Sequence, residues 1–175
     1  MEPIVAMIEA AAAVPRDRAV MDSWFARGLA LDPHDYYLHR AKLMYLKLHA
    51  PDAEALDFVH KAALDAPPGS LLPLLAFDAH LLSSWVQRGA DHYVEHFKRR
   101  AVFSELEPLL AKVVKAQPKS PEALNRYAFV AFHGGRLDLA APAFRTLGDA
   151  WSEEIWLERE RYDACKVSAL GQNNK

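Results

Sequence analysis

The chain has 175 residues, enough for one domain or one short superhelix with a core of useful size. Hydrophobic residues make up 51% and charged residues 25%, which excludes the polar, charge-heavy composition of a disordered chain. A net charge of -2 excludes a broad electrostatic attraction for nucleic acid or anionic membrane, which needs clustered Lys and Arg. The single basic run, Lys98 to Arg100, is too short to change that and reads as a solvated helix face.

Apolar residues recur three and four apart almost throughout, and long alternating runs are missing, so the periodicity predicts an all-α chain. In chain order the predicted helices are 3–14, 17–31, 36–49, 52–65, 71–88, 91–116, 121–133, 136–147 and 152–167. Most of the 11 prolines fall between these segments, where a fixed φ and a missing N–H start or stop helices. Within 91–116 a break is expected near Ser104 to Pro108, because Ser104 and Glu107 have capping-box spacing and Pro108 would then lie near a helix start. One domain, 1–168, with a flexible tail at 169–175, accounts for these elements, since Gly171 to Lys175 is polar and has no apolar face.

The N-terminal stretch to Val14 is interrupted by Glu2 and Glu9, and no basic residue precedes it, unlike a secretory signal. No run approaches the roughly 18 to 20 apolar residues of a membrane span. The lone Cys165 cannot form an internal disulfide and reads as a small buried hydrophobe. The cytoplasm is the expected compartment.

A repeat underlies the helices. Pro33 and Pro67 are separated by about 34 residues, and upstream of each the small and apolar positions superimpose: Met21 on Ala55, Phe25 on Val59, Gly28 on Ala62. Pro118 ends a third such helix, with Leu106, Leu110 and Val113 in the equivalent places. In the last unit Ala128, Ala131, Ala140 and Phe144 fall at the same offsets, and Gly134 and Gly135 form the turn. On these residues the chain resembles the tetratricopeptide repeat family over about residues 17 to 150. The resemblance implies stacked antiparallel helical hairpins forming a short superhelix, with small residues admitting close helix approach. The family's first-helix Trp, Leu, Gly and Tyr are poorly kept in repeats two and three. The interval from Pro67 to Pro118 is about one and a half periods, so an insertion is expected at about 84–104 and the superhelix should be irregular there.

A narrower likeness rests on Trp85, Arg88 and Gly89, then Asn125, Ala128, Ala131, Gly135, Ala140, Phe144, Gly148 and Trp156. Over about residues 70 to 165 these are similar to a family of uncharacterised bacterial proteins with degenerate tetratricopeptide-like repeats. That likeness implies a bacterial source and the fold, and carries no catalytic residue across.

Chemical motifs are sparse. His92, Glu95 and His96 spell HxxEH, in which two histidines one turn apart bind zinc and the glutamate activates water. Inverzincins, which carry that pattern, are much larger α+β proteins, so a zinc-dependent hydrolase stands as the lesser alternative, and a polar face on the inserted helix as the preferred reading. Ser83 and Ser84 lie mid-helix without a nucleophile elbow, and no glycine-rich phosphate loop occurs. No cofactor is expected, and Trp24, Trp85, Trp151 and Trp156 fit packing at helical spacing.

The resemblance implies that first helices line a concave binding surface. Its register places Tyr37, Arg40, Met44 and Lys47 there from the second unit, Leu72, Ala76 and His80 from the third, and Asn125, Phe129 and His133 from the last. Of these, Tyr37, Arg40, Met44, Lys47, His80, Asn125, Phe129 and His133 are the expected partner-binding residues, with Arg40 and Phe129 expected to be at least partly exposed. The family's peptide-carboxylate clamp is not filled by Arg40, Lys47, Asn125 and Arg126. The expectation is therefore a non-catalytic module that holds one partner protein on its concave face or on its inserted helix. Its stand-alone form would be an immunity protein that neutralises a bacterial toxin, and its other form an adaptor subunit of an assembly.

Overall fold

The computed structural model describes residues 2–13, 18–88 and 93–171, with no side-chain detail for 85–88. Among the described residues there are eleven helices and no strand, the helical-hairpin architecture expected from the sequence. None of these helices is long and apolar enough to cross a membrane. The chain divides into two compact units, Met1–Gly89 and Ala90–Lys175, and the division falls within the stretch that interrupts the repeat period.

In the first unit α1 (Glu2–Ala12), α3 (Tyr36–His49) and α5 (Leu74–Arg88) pack side by side, while α2 (Arg18–Leu31) and α4 (Asp52–Leu64) join them from the other layer. Helix α3 starts where it does because Asp35, in extended backbone, accepts a hydrogen bond from the Leu38 N–H at 2.6 Å. The superimposed repeat positions Met21, Phe25, Ala55, Val59 and Ala62 are all buried. At Gly28 a Cβ would lie 2.5 Å from Leu38 Cδ1, so the absent side chain sets the spacing of α2 and α3.

The second unit comprises α6 (Tyr93–Phe97), α7 (Arg100–Ala116), α8 (Pro121–His133), α9 (Leu137–Leu147), α10 (Glu153–Trp156) and α11 (Arg159–Gly171). Helix α8 packs on α6, α7, α9 and α10, and α9 also meets α11. Ser120 caps α8 by accepting from the Ala123 N–H at 3.2 Å, and Pro121 occupies its first turn. After His133 the chain reverses through Gly135 at φ 76°, where a side chain would be strained, and the Arg136 N–H reaches back to the Ala131 carbonyl.

Three boundaries depart from the sequence reading. The break expected at Ser104 to Pro108 is absent; α7 runs through both, and the helix ends instead at Lys98 and Arg99. Pro108 sits on the exposed side, whereas Val102, Leu106, Leu110 and Val113 form a buried stripe whose packing offsets the lost backbone bond. The helix predicted at 152–167 is split by Leu157, a non-glycine at φ 65°. Finally, α11 continues through Gly171, because Tyr162, Cys165 and Ala169 bury one stripe toward α9. Burial also raises the Cys165 thiol to about 11, leaving it inert as a nucleophile.

Candidate functional site

The stripe predicted on α3 separates into residues that build the fold and one that faces out. Tyr36 donates its hydroxyl proton to Asp78 of α5, and Arg40 Nε lies 3.9 Å from the same carboxylate. Lys47 is not a free surface cation: its side chain is 3% exposed, bound to Asp52 at 3.0 Å and to the Ser83 hydroxyl. The contacts to Asp78 and Ser83 tie α3 to α5 and the Lys47–Asp52 pair ties it to α4, so a lysine so enclosed reaches a partner only by giving up these bonds. Met44 and His80 are half-buried, and Leu72 and Ala76 are buried.

Tyr37 is different. It is 57% exposed, and its ring meets Tyr36 edge to face with centroids 5.2 Å apart. It borders a cleft of about 550 Å³ on the α1 and α3 face, lined also by Glu2, Val5, Ala6, Glu9 and Asp35. Glu2, Val5, Ala6 and Glu9 follow the i, i+3, i+4, i+7 spacing of one helix face, a signal present in the sequence that went unused because the glutamates counted only against a signal peptide.

The residues expected from the last unit are not a surface. Asn125 is 2% exposed, and Phe129 is fully buried at the centre of an aromatic cluster. Phe129 stacks on Tyr93 at 5.6 Å and meets Phe97 and Trp156 edge to face, both at 5.1 Å. The Asn125 amide donates to the Pro121 and Ala150 carbonyls at 2.9 and 2.8 Å, while its oxygen accepts from the Ser152 N–H and from Trp156 Nε1 at 3.2 and 2.8 Å. Both residues are therefore parts of the core, and the expectation that they contact a partner is corrected on that ground. His133 packs against Phe129 with centroids 4.4 Å apart, and its Nε2 is buried without a hydrogen-bond partner. Burial, then the nearby charges of Lys98 and Arg161, lower its pKa to about 4.

For the HxxEH motif, His92 lies outside the described residues. Glu95 is exposed and pairs with Lys98 at 2.5 Å, and His96 packs edge-on against Phe97. Among the described residues no three His, Cys, Asp or Glu side chains are grouped to hold a metal ion. Trp156 is buried in the aromatic cluster, Trp24 carries the Arg27 guanidinium 4.1 Å above its ring, and Trp151 is half-buried.

No protein-family profile matches the sequence, and no curated protein or solved structure is similar to it.

Proposed function

We propose that this chain is a non-catalytic, tetratricopeptide-like module of the cytoplasm that binds one partner protein on the α1 and α3 face. The carrying observation is Tyr37: a large aromatic ring, more than half exposed, at the edge of a cleft of about 550 Å³. It is pre-positioned because the ring beneath it, Tyr36, is buried and fixed through its hydroxyl to the buried Asp78. A rigid exposed tyrosine next to a pocket is the residue type that dominates interface energetics, because little side-chain entropy is lost on binding.

Charge sets the kind of partner. The exposed carboxylates of Glu2 and Glu9 flank the cleft, so an Arg or Lys from the partner gains both a carboxylate and the Tyr37 ring face. A protein with a basic working surface, such as a toxin held inactive by an immunity protein, fits that chemistry. Of the earlier candidates on α3, Tyr37 lines this cleft, while Arg40 and Met44 are half-buried and are not part of its lining.

The test is retention of a partner from a lysate of the source organism on the immobilised chain, with Tyr37→Ala and Glu9→Lys compared with the parent. A bound protein that is lost from both variants, while their melting changes by less than about 0.5 kcal/mol, supports the assignment. Retention of the same protein by both variants refutes it.

A further inference from the structure

Helix α1 is apolar almost all round, and the fold covers only part of it. Among its residues Glu2 and Glu9 alone are charged or polar. Ile8 and Ala11 are buried where α1 packs on α2 and α3, which is the coverage one apolar stripe needs. On the other side Pro3, Ala6, Met7 and Ala10 follow i, i+3, i+4, i+7 spacing and form a second apolar stripe. All four are exposed, Met7 to 41%. Glu2 and Glu9 run along one edge of that stripe, where they border the cleft with Tyr37.

Shape and charge select what covers this face. Ala6 and Ala10 lie one turn apart and leave a shallow groove, into which another helix packs with its axis about 8–10 Å away. An extended segment gains less, because the α1 backbone is bonded within its own helix and offers no edge for strand pairing. Glu2 and Glu9 are about 10.5 Å apart along the axis, too far for one cation to pair with both. Neither makes an ion pair among the described residues. Asp35 is a third carboxylate in the cleft lining, which holds no Lys or Arg among the described residues. Two basic residues seven apart on a docked helix match the glutamate spacing. An antiparallel pair of α1 helices from two copies would instead bring all four glutamates onto one edge, and like charges oppose it.

We infer that the outer face of α1 docks an amphipathic helix of the partner, whose apolar side covers Ala6, Met7 and Ala10 and whose Arg or Lys residues, seven apart, meet Glu2 and Glu9. The assignment rests on the α1 and α3 face being the protein-binding surface. Fluorescence anisotropy of a labelled synthetic helix, titrated with the full chain, tests it. The probe carries a leucine stripe with arginines at i and i+7 beside it. One relative has glutamates in their place, a second has the arginines moved to opposite faces, and a third has a proline in its central turn. The expected Kd of the probe is about 10–100 µM, and each relative should bind at least about tenfold more weakly. Ala6→Lys, a change at an exposed position that fills the groove, should weaken the probe about tenfold while the melt is unchanged. Equal binding of any relative, no binding of the probe, or full affinity in Ala6→Lys overturns the inference. Self-association of the chain that Ala6→Lys abolishes also overturns it, since a second copy then covers the face. Tyr37→Ala in the lysate experiment reports on the face itself, so failure of the docked helix and failure of the binding surface are read separately.

Discussion

Replacing Asn125 with alanine removes four hydrogen bonds at once, and the structure indicates which of them matter. The Pro121 carbonyl retains its place in the helix ladder, and Ala150 and Ser152 lie on a segment with access to water, so three of the partners have substitutes. Trp156 does not. Its indole is fully buried, and Nε1 donates to Asn125 Oδ1 at 2.8 Å. An orphaned buried donor costs about 1–3 kcal/mol, and the small cavity left by the amide adds to it, so the expected loss is about 2–4 kcal/mol. Against a typical total of about 5–15 kcal/mol this is readily measured by urea unfolding followed by circular dichroism. Trp156→Phe removes the same bond from the other side, so the double variant should lose less than the sum, with a coupling of about 1 kcal/mol or more. A loss below about 0.5 kcal/mol in Asn125→Ala, with additive effects in the double variant, would sink the network and return Asn125 to the surface.

His133 gives the protein a pH dependence of definite sign. Its folded pKa of about 4 lies below the ordinary 6.5, so the unfolded chain binds the proton more readily. Stability is complete above about pH 6.5 and falls toward pH 4, by up to about 3 kcal/mol. His133→Phe should flatten that fall, leaving a residual slope of the same sign from His39, whose pKa is lowered likewise by burial; an undiminished slope in the variant counts against the buried imidazole. Gly134→Ala places a Cβ 2.3 Å from Phe103 Cδ2, so the ring must shift, and the expected cost is about 1–3 kcal/mol in a thermal melt. A melt unchanged by that substitution would mean α7 and α8 are not held at this distance.

Core and surface were not equally legible. Periodicity identifies positions that repeat, and those became core: Leu106, Leu110, Val113, Ala128, Ala131, Ala140 and Phe144 are all buried. It cannot identify partners that do not repeat. Asn125 occupies a helix face expected to line a groove, but its acceptors and donors come from Ala150, Ser152 and Trp156, beyond the next helix. The same anchoring explains Leu157: with Ile155 and Trp156 buried, the chain turns sharply, so a segment periodic enough for one helix becomes two. Pro108 was misread because a breaker was weighed by type and not by face; on the exposed side of a strongly striped helix it bends little that matters. Around Tyr37 the spacing of Glu2, Val5, Ala6 and Glu9 was visible, and only the packing of α1 beside α3 shows why it counts.

The clasp between the beginning and end of the second unit bears on how the chain matures as it leaves the ribosome. Arg161 Nη1 donates to the Tyr93 hydroxyl at 2.6 Å across 68 residues, and that hydroxyl lies 3.4 Å from the Ile155 carbonyl. The polar ties of the first unit close earlier, with Asp78 and Ser83. At roughly 5–20 residues per second, about 3 to 14 s separate the emergence of Tyr93 from that of Arg161, an interval in which the rings of α6 and α8 have no final cover. Synthesis therefore exposes an aromatic surface from the second unit after the first has its partners, and this is the stage at which a holding chaperone would have the most to bind.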